Sequence, residues 1–209
     1  MNDENVLEVL NVAKSFGRQT VLRDVTFSMR SREIVGITGE NGAGKSTLLK
    51  IIVGWLSPDL GQVMKKDAMG YCPQDLCVFE TLTVEENFAY FAAAYGLGRK
   101  NHSGGWTERE EFLLKRFRFE QYQKKLVSRL SGGTKQKLNF SLAVLHSPSL
   151  LVLDEPYSGF DWETYVHFWE YAGELRSQGT GILIVSHFVY DRSNFDVIFE
   201  LRGGILRCA

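Results

Sequence analysis

The segment Gly39–Thr47 constrains the fold of this chain more strongly than any other part of the sequence. It follows the pattern G-x-x-x-x-G-K-[ST], in which glycines let the backbone curl until consecutive N–H groups point into one concave anion site. Residues 32–38 predict a buried strand before this loop, and residues 48–53 predict a helix after it. The positive end of that helix favours an anion. The order strand, loop and helix therefore predicts a phosphate-binding P-loop.

Every residue of this loop is a candidate for nucleotide binding: Gly39, Glu40, Asn41, Gly42, Ala43, Gly44, Lys45, Ser46 and Thr47. Lys45 is expected to reach the β- and γ-phosphates as a point charge, and the Ser46 hydroxyl is expected to bind Mg²⁺. The alternative is a glycine-rich turn without a ligand, which the flanking strand and helix disfavour.

Strands and helices alternate along most of the chain, which favours an α/β fold with a mainly parallel sheet and flanking helices. Continuous apolar runs at 150–153 and 181–185 predict strands buried on both faces, and another strand is expected at 196–201. Alternating apolar and polar residues at 6–12 and 21–29 predict half-buried strands of an antiparallel β layer.

We expect one domain over the whole chain, 1–209. Its core is predicted at 1–81 and 131–209, with the antiparallel layer near 5–30 and 61–72. Residues from about 82 to 130 interrupt the alternation and predict an inserted helical subdomain.

Two capping boxes are predicted to open helices of that subdomain, at Thr83–Glu86 and at Thr107–Glu110. The second helix is expected to run to about Phe117, and a short helix is expected at 120–127. The polar residues 98–105 predict a flexible loop.

Two acids follow the apolar strand at 150–153. Asp154 ends this strand, and in a P-loop sheet an acid at that place can hold the Mg²⁺ shell. Glu155 comes next and is predicted to orient and deprotonate an attacking water. The alternative is an acidic helix cap or a solvated pair of acids, which the P-loop makes less favourable.

Small residues precede another predicted helix at Ser131-Gly132-Gly133. They expose N–H groups at a helix N-terminus, where an anion can bind. A helix so far along the chain is not expected to reach its own P-loop, so its anion is expected on a second copy. As an isolated tripeptide the motif predicts no more than a turn and a cap.

Motifs in this order resemble the nucleotide-binding subunit of ABC transporters over nearly the whole chain, and residues 81–87 and 133–137 resemble those of exporter-type cassettes. Gly39–Thr47 is similar to the family's Walker A motif, and 150–154 to Walker B. The remaining similar motifs are the Q-loop at Gln74, the signature at 130–134, the D-loop at 158–161 and the switch histidine at 186–187. Thr134 departs from the family, because glutamine is usual at this position.

The resemblance implies an ATPase with ATP and Mg²⁺ as cofactors. Two subunits would hold two ATP molecules between them, with Walker A of one subunit and the signature of the other at each nucleotide. The residues implied are Phe16 for stacking on adenine, Gln74 and Asp154 for the Mg²⁺ shell, Ser131, Gly132 and Gly133 for the γ-phosphate in trans, Asp161 across the dimer, Glu155 as base and His187 as γ-phosphate sensor. For Phe16, a core aromatic is the alternative.

The implied partners are a second copy or a related ATP-binding subunit, and transmembrane subunits on separate chains. A net charge of −1 gives no basic footprint for nucleic acid. The chain has no apolar run of membrane-spanning length and no signal peptide pattern, so we expect a cytoplasmic protein peripheral to the membrane. The three cysteines lack ligand spacing and are expected to be reduced thiols.

Two other functions stay open at this point. One is a soluble ABC-type ATPase with a role in translation, DNA maintenance or cluster assembly. The other is a binding module without turnover, which the presence of Asp154, Glu155 and His187 disfavours.

Overall fold

The computed structural model describes residues 5–98, 105–187 and 191–209. The predicted loop at 98–105 lies almost wholly outside the described residues. Among the helices that are described, none combines the length and the apolar character needed to cross a membrane.

An antiparallel sheet of three strands contains the N-terminal part of the chain. It consists of β1 (Asn5–Phe16), β2 (Gln19–Arg30) and β4 (Leu60–Lys65), in the order β2-β1-β4. Buried and exposed side chains alternate along the second half of β2, as expected for a strand with one face on the core. The prediction of an antiparallel layer from the alternating residues is confirmed.

The larger sheet has six strands in the order β5-β6-β7-β3-β8-β9. The five strands β5, β6, β7, β3 and β8 are parallel to one another, and the edge strand β9 is antiparallel to β8. Its strands are β3 (Ile34–Thr38), β5 (Met69–Cys72), β6 (Leu150–Asp154), β7 (Gly181–Val185), β8 (Val197–Arg202) and β9 (Ile205–Cys208). Every residue of β6 and β7 is buried, which explains their continuous apolar sequences.

One boundary of the predicted antiparallel layer is wrong. The layer was expected to include residues up to 72, but β5 pairs with β6 in parallel, with Cys72 opposite Leu153. Of β4 and β5, it is β4 that pairs with β1. The short sequence between the two strands does not reveal that the chain passes from one sheet to the other there.

Five α-helices flank the sheets in the described residues. They are α1 (Lys45–Val53), α2 (Val84–Ala94), α3 (Trp106–Arg116), α4 (Gly132–Val144) and α5 (Trp162–Ser177). Two short 3-10 turns, Glu120–Tyr122 and Val127–Arg129, replace the short helix expected at 120–127.

The first predicted capping box is present and the second is wrong. The Thr83 hydroxyl accepts a hydrogen bond from the Glu86 N–H, and the Glu86 carboxylate accepts one from the Thr83 N–H. Helix α3 instead begins after Gly105, without a side-chain cap. The Glu110 carboxylate is buried and accepts a hydrogen bond from Gln123, so it does not reach back to the helix start.

Two apolar clusters lie on opposite faces of the six-stranded sheet. One contains α1 and the antiparallel sheet, packed against residues such as Val35, Val152 and Leu183. The other contains the helices α2 to α5, packed against the alternate residues Leu153 and Ile184. Within 82–130, the described helices α2 and α3 pack on this second face of the sheet.

Candidate functional site

The candidate site lies at the carboxyl ends of four adjacent parallel strands. The P-loop follows β3, Gln74 follows β5, Glu155 follows β6 and His187 follows β7. Open α/β sheets place their ligand sites at this edge because the loops there converge from neighbouring strands. The fold thus brings together residues that are far apart in the sequence.

The P-loop conformation depends on glycines. Gly39 has a φ of 152°, and a Cβ atom there would lie 2.4 Å from the Leu201 carbonyl oxygen. Gly44 has a φ of 105°, and its Cβ would lie 3.1 Å from the Val21 carbonyl oxygen. The loop therefore curls through a space in which a side chain would meet the backbone of β8 and β2. It then opens the N-terminus of α1, where the backbone N–H groups favour an anion.

Lys45 lies at the centre of the site. Its ammonium group donates to the Gly39 carbonyl at 2.6 Å and to the Glu40 carbonyl at 3.1 Å, and it lies 3.3 Å from Nδ1 of His187. Burial lowers the pKa of Lys45, while the neighbouring carboxylates of Glu155 and Asp154 partly oppose this effect. The cation is thus held near the acids and beside the loop that would cradle phosphates.

Glu155 has an unusual backbone and a fully engaged carboxylate. Its φ of 49° lies in the left-handed region, which costs a residue with a side chain about 1–2 kcal/mol. The carboxylate accepts hydrogen bonds from the Ser186 hydroxyl at 2.9 Å and from the His187 N–H at 2.6 Å. Strained residues with such support cluster at functional sites, so the geometry favours a chemical role for this acid.

His187 connects Lys45 to Glu155. Because an ammonium group can only donate, Nδ1 of His187 is the acceptor in the contact with Lys45. The neutral ring then carries its proton on Nε2, which lies 3.5 Å from the Glu155 carboxylate. The ring therefore has its proton on the side of the candidate base.

Asp154 is almost fully buried, with 7% of its surface exposed. Burial and the charge of Glu155 raise its pKa to about 6, and Lys45 and His187 oppose this rise. A cation close to this carboxylate would favour its charged form.

The residues present fit Mg²⁺. Ser46, Gln74 and Asp154 line one cleft of about 520 Å³ together with Lys45. They offer hydroxyl, amide and carboxylate oxygens, the ligands that this hard cation prefers. The described residues contain no cluster of three or more His, Cys, Asp or Glu side chains placed to bind a metal.

Phe16 lines the same cleft. Its ring is 52% exposed, and the Lys14 ammonium group lies 5.7 Å from the ring centre. The alternative of a core aromatic is therefore wrong. An exposed aromatic face at the rim is suited to stacking on a planar ring.

The signature residues do not line this cleft. Ser131 is the N-cap of α4, where its hydroxyl accepts a hydrogen bond from the Thr134 N–H and lies 2.9 Å from the Thr134 hydroxyl. Gly132 and Gly133 form the first turn of that helix. None of these three residues is among the described residues that line the cleft around Lys45.

Asp161 lines a second cleft, of about 990 Å³, which also contains Glu155 and His187. Its carboxylate caps α5 by accepting a hydrogen bond from the Thr164 N–H at 2.7 Å. Hydrogen bonds from Thr164 lower the pKa of this acid.

Three residues that support the site were not predicted from the sequence. Ser186 binds Glu155, the buried Gln136 donates to the Pro156 carbonyl at 3.1 Å, and the buried Asn139 holds the loop around Gln74. The signal for the last two is a polar residue on the buried face of a helix, because such a group needs a partner.

Comparison with known proteins identifies the family. The family described as "ABC transporter" matches residues 22–158. The chain is 31% identical to the ABC transporter G family member 23 of Dictyostelium discoideum, over 98% of this chain and 30% of that protein. It is 33% identical to the Nod factor export ATP-binding protein I of Bradyrhizobium diazoefficiens, over 90% of this chain and 65% of that protein.

The chain spans about a third or less of the length of several relatives. For the mouse ABC-type organic anion transporter ABCA8B, the match at 38% identity covers 89% of this chain but 12% of that protein. Among solved structures, an ATP-binding subunit of an ABC transporter superposes with a TM-score of 0.91 at 31% identity, over 98% of this chain and 89% of the other. The chain therefore belongs to the ABC transporter family, as one of its ATP-binding ATPase domains.

Proposed function

We propose that this chain hydrolyses MgATP between two ATP-binding subunits and thereby powers a membrane transporter. The observation that carries the proposal is the placement of Glu155, whose carboxylate is fixed by Ser186 and His187 beside the Lys45 ammonium group. A base held next to the phosphate-binding loop is what hydrolysis needs.

Each residue of the cleft has a part in this reaction. The loop N–H groups and Lys45 bind the β- and γ-phosphates, and Phe16 stacks on the base. Mg²⁺, held by Ser46, Asp154 and Gln74, neutralises charge on the phosphate oxygens when it is bound. Glu155 takes a proton from water as the water oxygen attacks the γ-phosphorus, while the bond from that phosphorus to the β–γ bridging oxygen breaks and ADP leaves with the bridging oxygen. His187, beside Glu155, orients the γ-phosphate.

A second subunit completes the site. Ser131, Gly132 and Gly133 lie outside their own cleft, so their N–H groups are free to bind the γ-phosphate on a partner. A cassette of the same fold, with a TM-score of 0.84 at 23% identity, is described as dimeric. Asp161, in the cleft beside His187, would face the partner. The partner is a second copy or a related ATP-binding subunit.

An exposed aromatic pair favours a membrane partner. Phe79 is 41% exposed and Tyr90 is 52% exposed, and their rings are in edge contact at 4.5 Å. They lie just after the Gln74 loop, where a docked protein would sense nucleotide state. We therefore place the subunit on the cytoplasmic face of the membrane, bound there by transmembrane subunits on other chains.

The Glu155→Gln variant tests the hydrolytic part. It is expected to bind MgATP with wild-type affinity, to lose at least about 100-fold in ATPase rate, and to accumulate as a closed dimer. The rate is measured by phosphate release, and the dimer by light scattering coupled to size exclusion.

Glu86→Gln is the matched control, because glutamine serves the capping box as well as glutamate. It should keep wild-type rate and remain monomeric after turnover. A Glu155→Gln protein that stays monomeric at saturating MgATP would contradict the proposed dimer.

A further inference from the structure

We propose that Asn139 is a positioning residue that fixes the loop of Gln74 and thereby the place of the Gln74 side chain in the cleft. This inference rests on the proposed function, because Gln74 is given its Mg²⁺ role there. The observation is that one buried side chain on the signature helix α4 is bonded to the chain on both sides of Gln74.

The amide of Asn139 is buried, with 3% of the residue exposed. Its nitrogen donates to the Pro73 carbonyl at 3.0 Å and to the Cys72 sulfur at 3.2 Å, and its oxygen accepts from the Cys77 N–H at 3.0 Å. A carbonyl partner needs the amide nitrogen and an N–H partner needs the oxygen, so these contacts fix the orientation of the amide.

Asn139 holds the loop at Pro73 and Cys77, and Asn87 holds the same segment farther along, at Phe79. After β5 ends at Cys72, no regular secondary structure forms before the Thr83 cap of α2. Gln74 is exposed in this loop and lines the cleft. Backbone groups that are not paired in a helix or sheet need other hydrogen-bond partners. Asn139 supplies such partners one residue before and three residues after Gln74.

The same face of α4 makes a second contact with this segment. Lys135, one helical turn before Asn139, forms an ion pair with Glu80. Ser131, the residue proposed to bind the partner's nucleotide, is the N-cap of α4. The same helix therefore carries both this contact and Asn139, which holds the loop of Gln74, the proposed Mg²⁺ ligand of its own subunit.

A purely structural role for Asn139 makes a different prediction. Loss of a buried hydrogen-bonding group would then lower stability, while the Mg²⁺ dependence of the remaining activity would stay unchanged. A positioning role changes the metal dependence, because the amide oxygen of Gln74 no longer lies where the metal shell needs it.

The test measures two quantities against free Mg²⁺ at saturating ATP: the ATPase rate, and the amount of ATP retained without turnover when the same substitutions are made in the Glu155→Gln protein. Asn139→Ala is expected to raise the Mg²⁺ concentration for half-maximal rate about tenfold, with Gln74→Ala giving a similar shift. In the double variant, the shift should equal that of Gln74→Ala alone, since residues that act through one another are not additive.

Ser141→Ala is the matched control. Ser141 is a buried polar residue of the same helix, but its hydroxyl donates only to the Lys137 carbonyl within α4. It should leave the Mg²⁺ dependence unchanged. If Asn139→Ala does not fold, Asn139→Ser keeps one hydrogen-bonding group and is expected to show a smaller shift in the same direction.

Two results overturn the inference alone: an unchanged Mg²⁺ dependence in the Asn139 variants while Gln74→Ala is shifted, or additive shifts in the double variant. If Gln74→Ala is itself unshifted, the inference falls together with the metal role of Gln74. Nucleotide trapping by Glu155→Gln remains a separate test of the proposed function.

Discussion

Asp154 shows how the site opposes the stability of the fold. Its pKa is raised from 3.8 to about 6, chiefly by burial. Between about pH 4 and pH 6 the folded chain keeps a proton that the unfolded chain has released, so the free energy of unfolding falls as the pH rises through this window. Above it the destabilisation is complete and constant.

The variant Asp154→Asn removes this titration with little change in shape. We expect its Tm without nucleotide to exceed that of the wild type by several degrees at about pH 7.5, and to be nearly equal at about pH 4. Its Mg²⁺-dependent ATPase should be lost. Thermal unfolding followed by circular dichroism across this pH range measures the difference.

Asp59→Asn is a control with the opposite sign. The pKa of Asp59 is lowered by hydrogen bonds from Lys14 and from the Ser15 N–H. The charged Asp59 carboxylate stabilises the fold above its ordinary pKa, and this effect is lost as the pH falls through its lowered pKa. Asp59→Asn should therefore be less stable than the wild type at neutral pH but not at low pH. A Tm difference for Asp154→Asn that does not change with pH would contradict the raised pKa.

At the residue scale, the types and order of the site residues were predictable from the sequence, and the structure brings together those expected to contact the subunit's own nucleotide. Lys45, Asp154 and Glu155 were recognisable because their chemistry depends on local spacing. The left-handed backbone of Glu155 and its bond to Ser186 were not, since they depend on β6 and β7 being neighbours.

At the element scale, two similar tetrapeptides behave differently. Thr83–Glu86 caps α2, whereas Thr107 lies inside α3, which begins at Trp106. The indole of Trp106 packs against the large apolar cluster, and this tertiary contact places the helix start before the predicted cap.

We therefore expect unequal effects of one substitution. Thr83→Ala should lower the free energy of unfolding by about 0.5–2 kcal/mol, because the Glu86 N–H loses its partner. Thr107→Ala should change it by less than about 0.5 kcal/mol. Urea unfolding of both variants measures this, and equal losses would contradict the assigned helix start.

The strands were predictable where burial on both faces leaves a continuous apolar run, as in β6 and β7. The place of β5 was not, because partner choice between two sheets is a long-range property that four residues do not encode. That placement matters, since it sets the loop of Gln74 beside Asp154.

At the scale of the whole molecule, the proposed sites are shared between two subunits. Lys45→Ala removes the phosphate contact of one subunit's own cleft. Ser131→Asp keeps the cap of α4, because aspartate caps as well as serine, but its charge repels a phosphate in trans.

Each variant alone is expected to be inactive, whereas an equal mixture should regain activity. Half of randomly formed dimers are mixed and each has one intact site of two, so the mixture should reach about one quarter of the wild-type ATPase rate. Phosphate release from the mixed and separate proteins measures this. A mixture no more active than its components would contradict a head-to-tail homodimer.

The two ends of the nucleotide cleft belong to different sheets. Phe16 ends β1 in the antiparallel sheet, while the P-loop follows β3 in the larger sheet. Gly44 packs closely on the Val21 backbone of β2, so the P-loop and the antiparallel sheet meet at this point with little space for a side chain between them. A ligand that contacts both the aromatic ring and the phosphate loop therefore bridges the two sheets. Because a stacking ring does not read the hydrogen-bonding edge of a base, Phe16 alone does not select which base such a ligand carries.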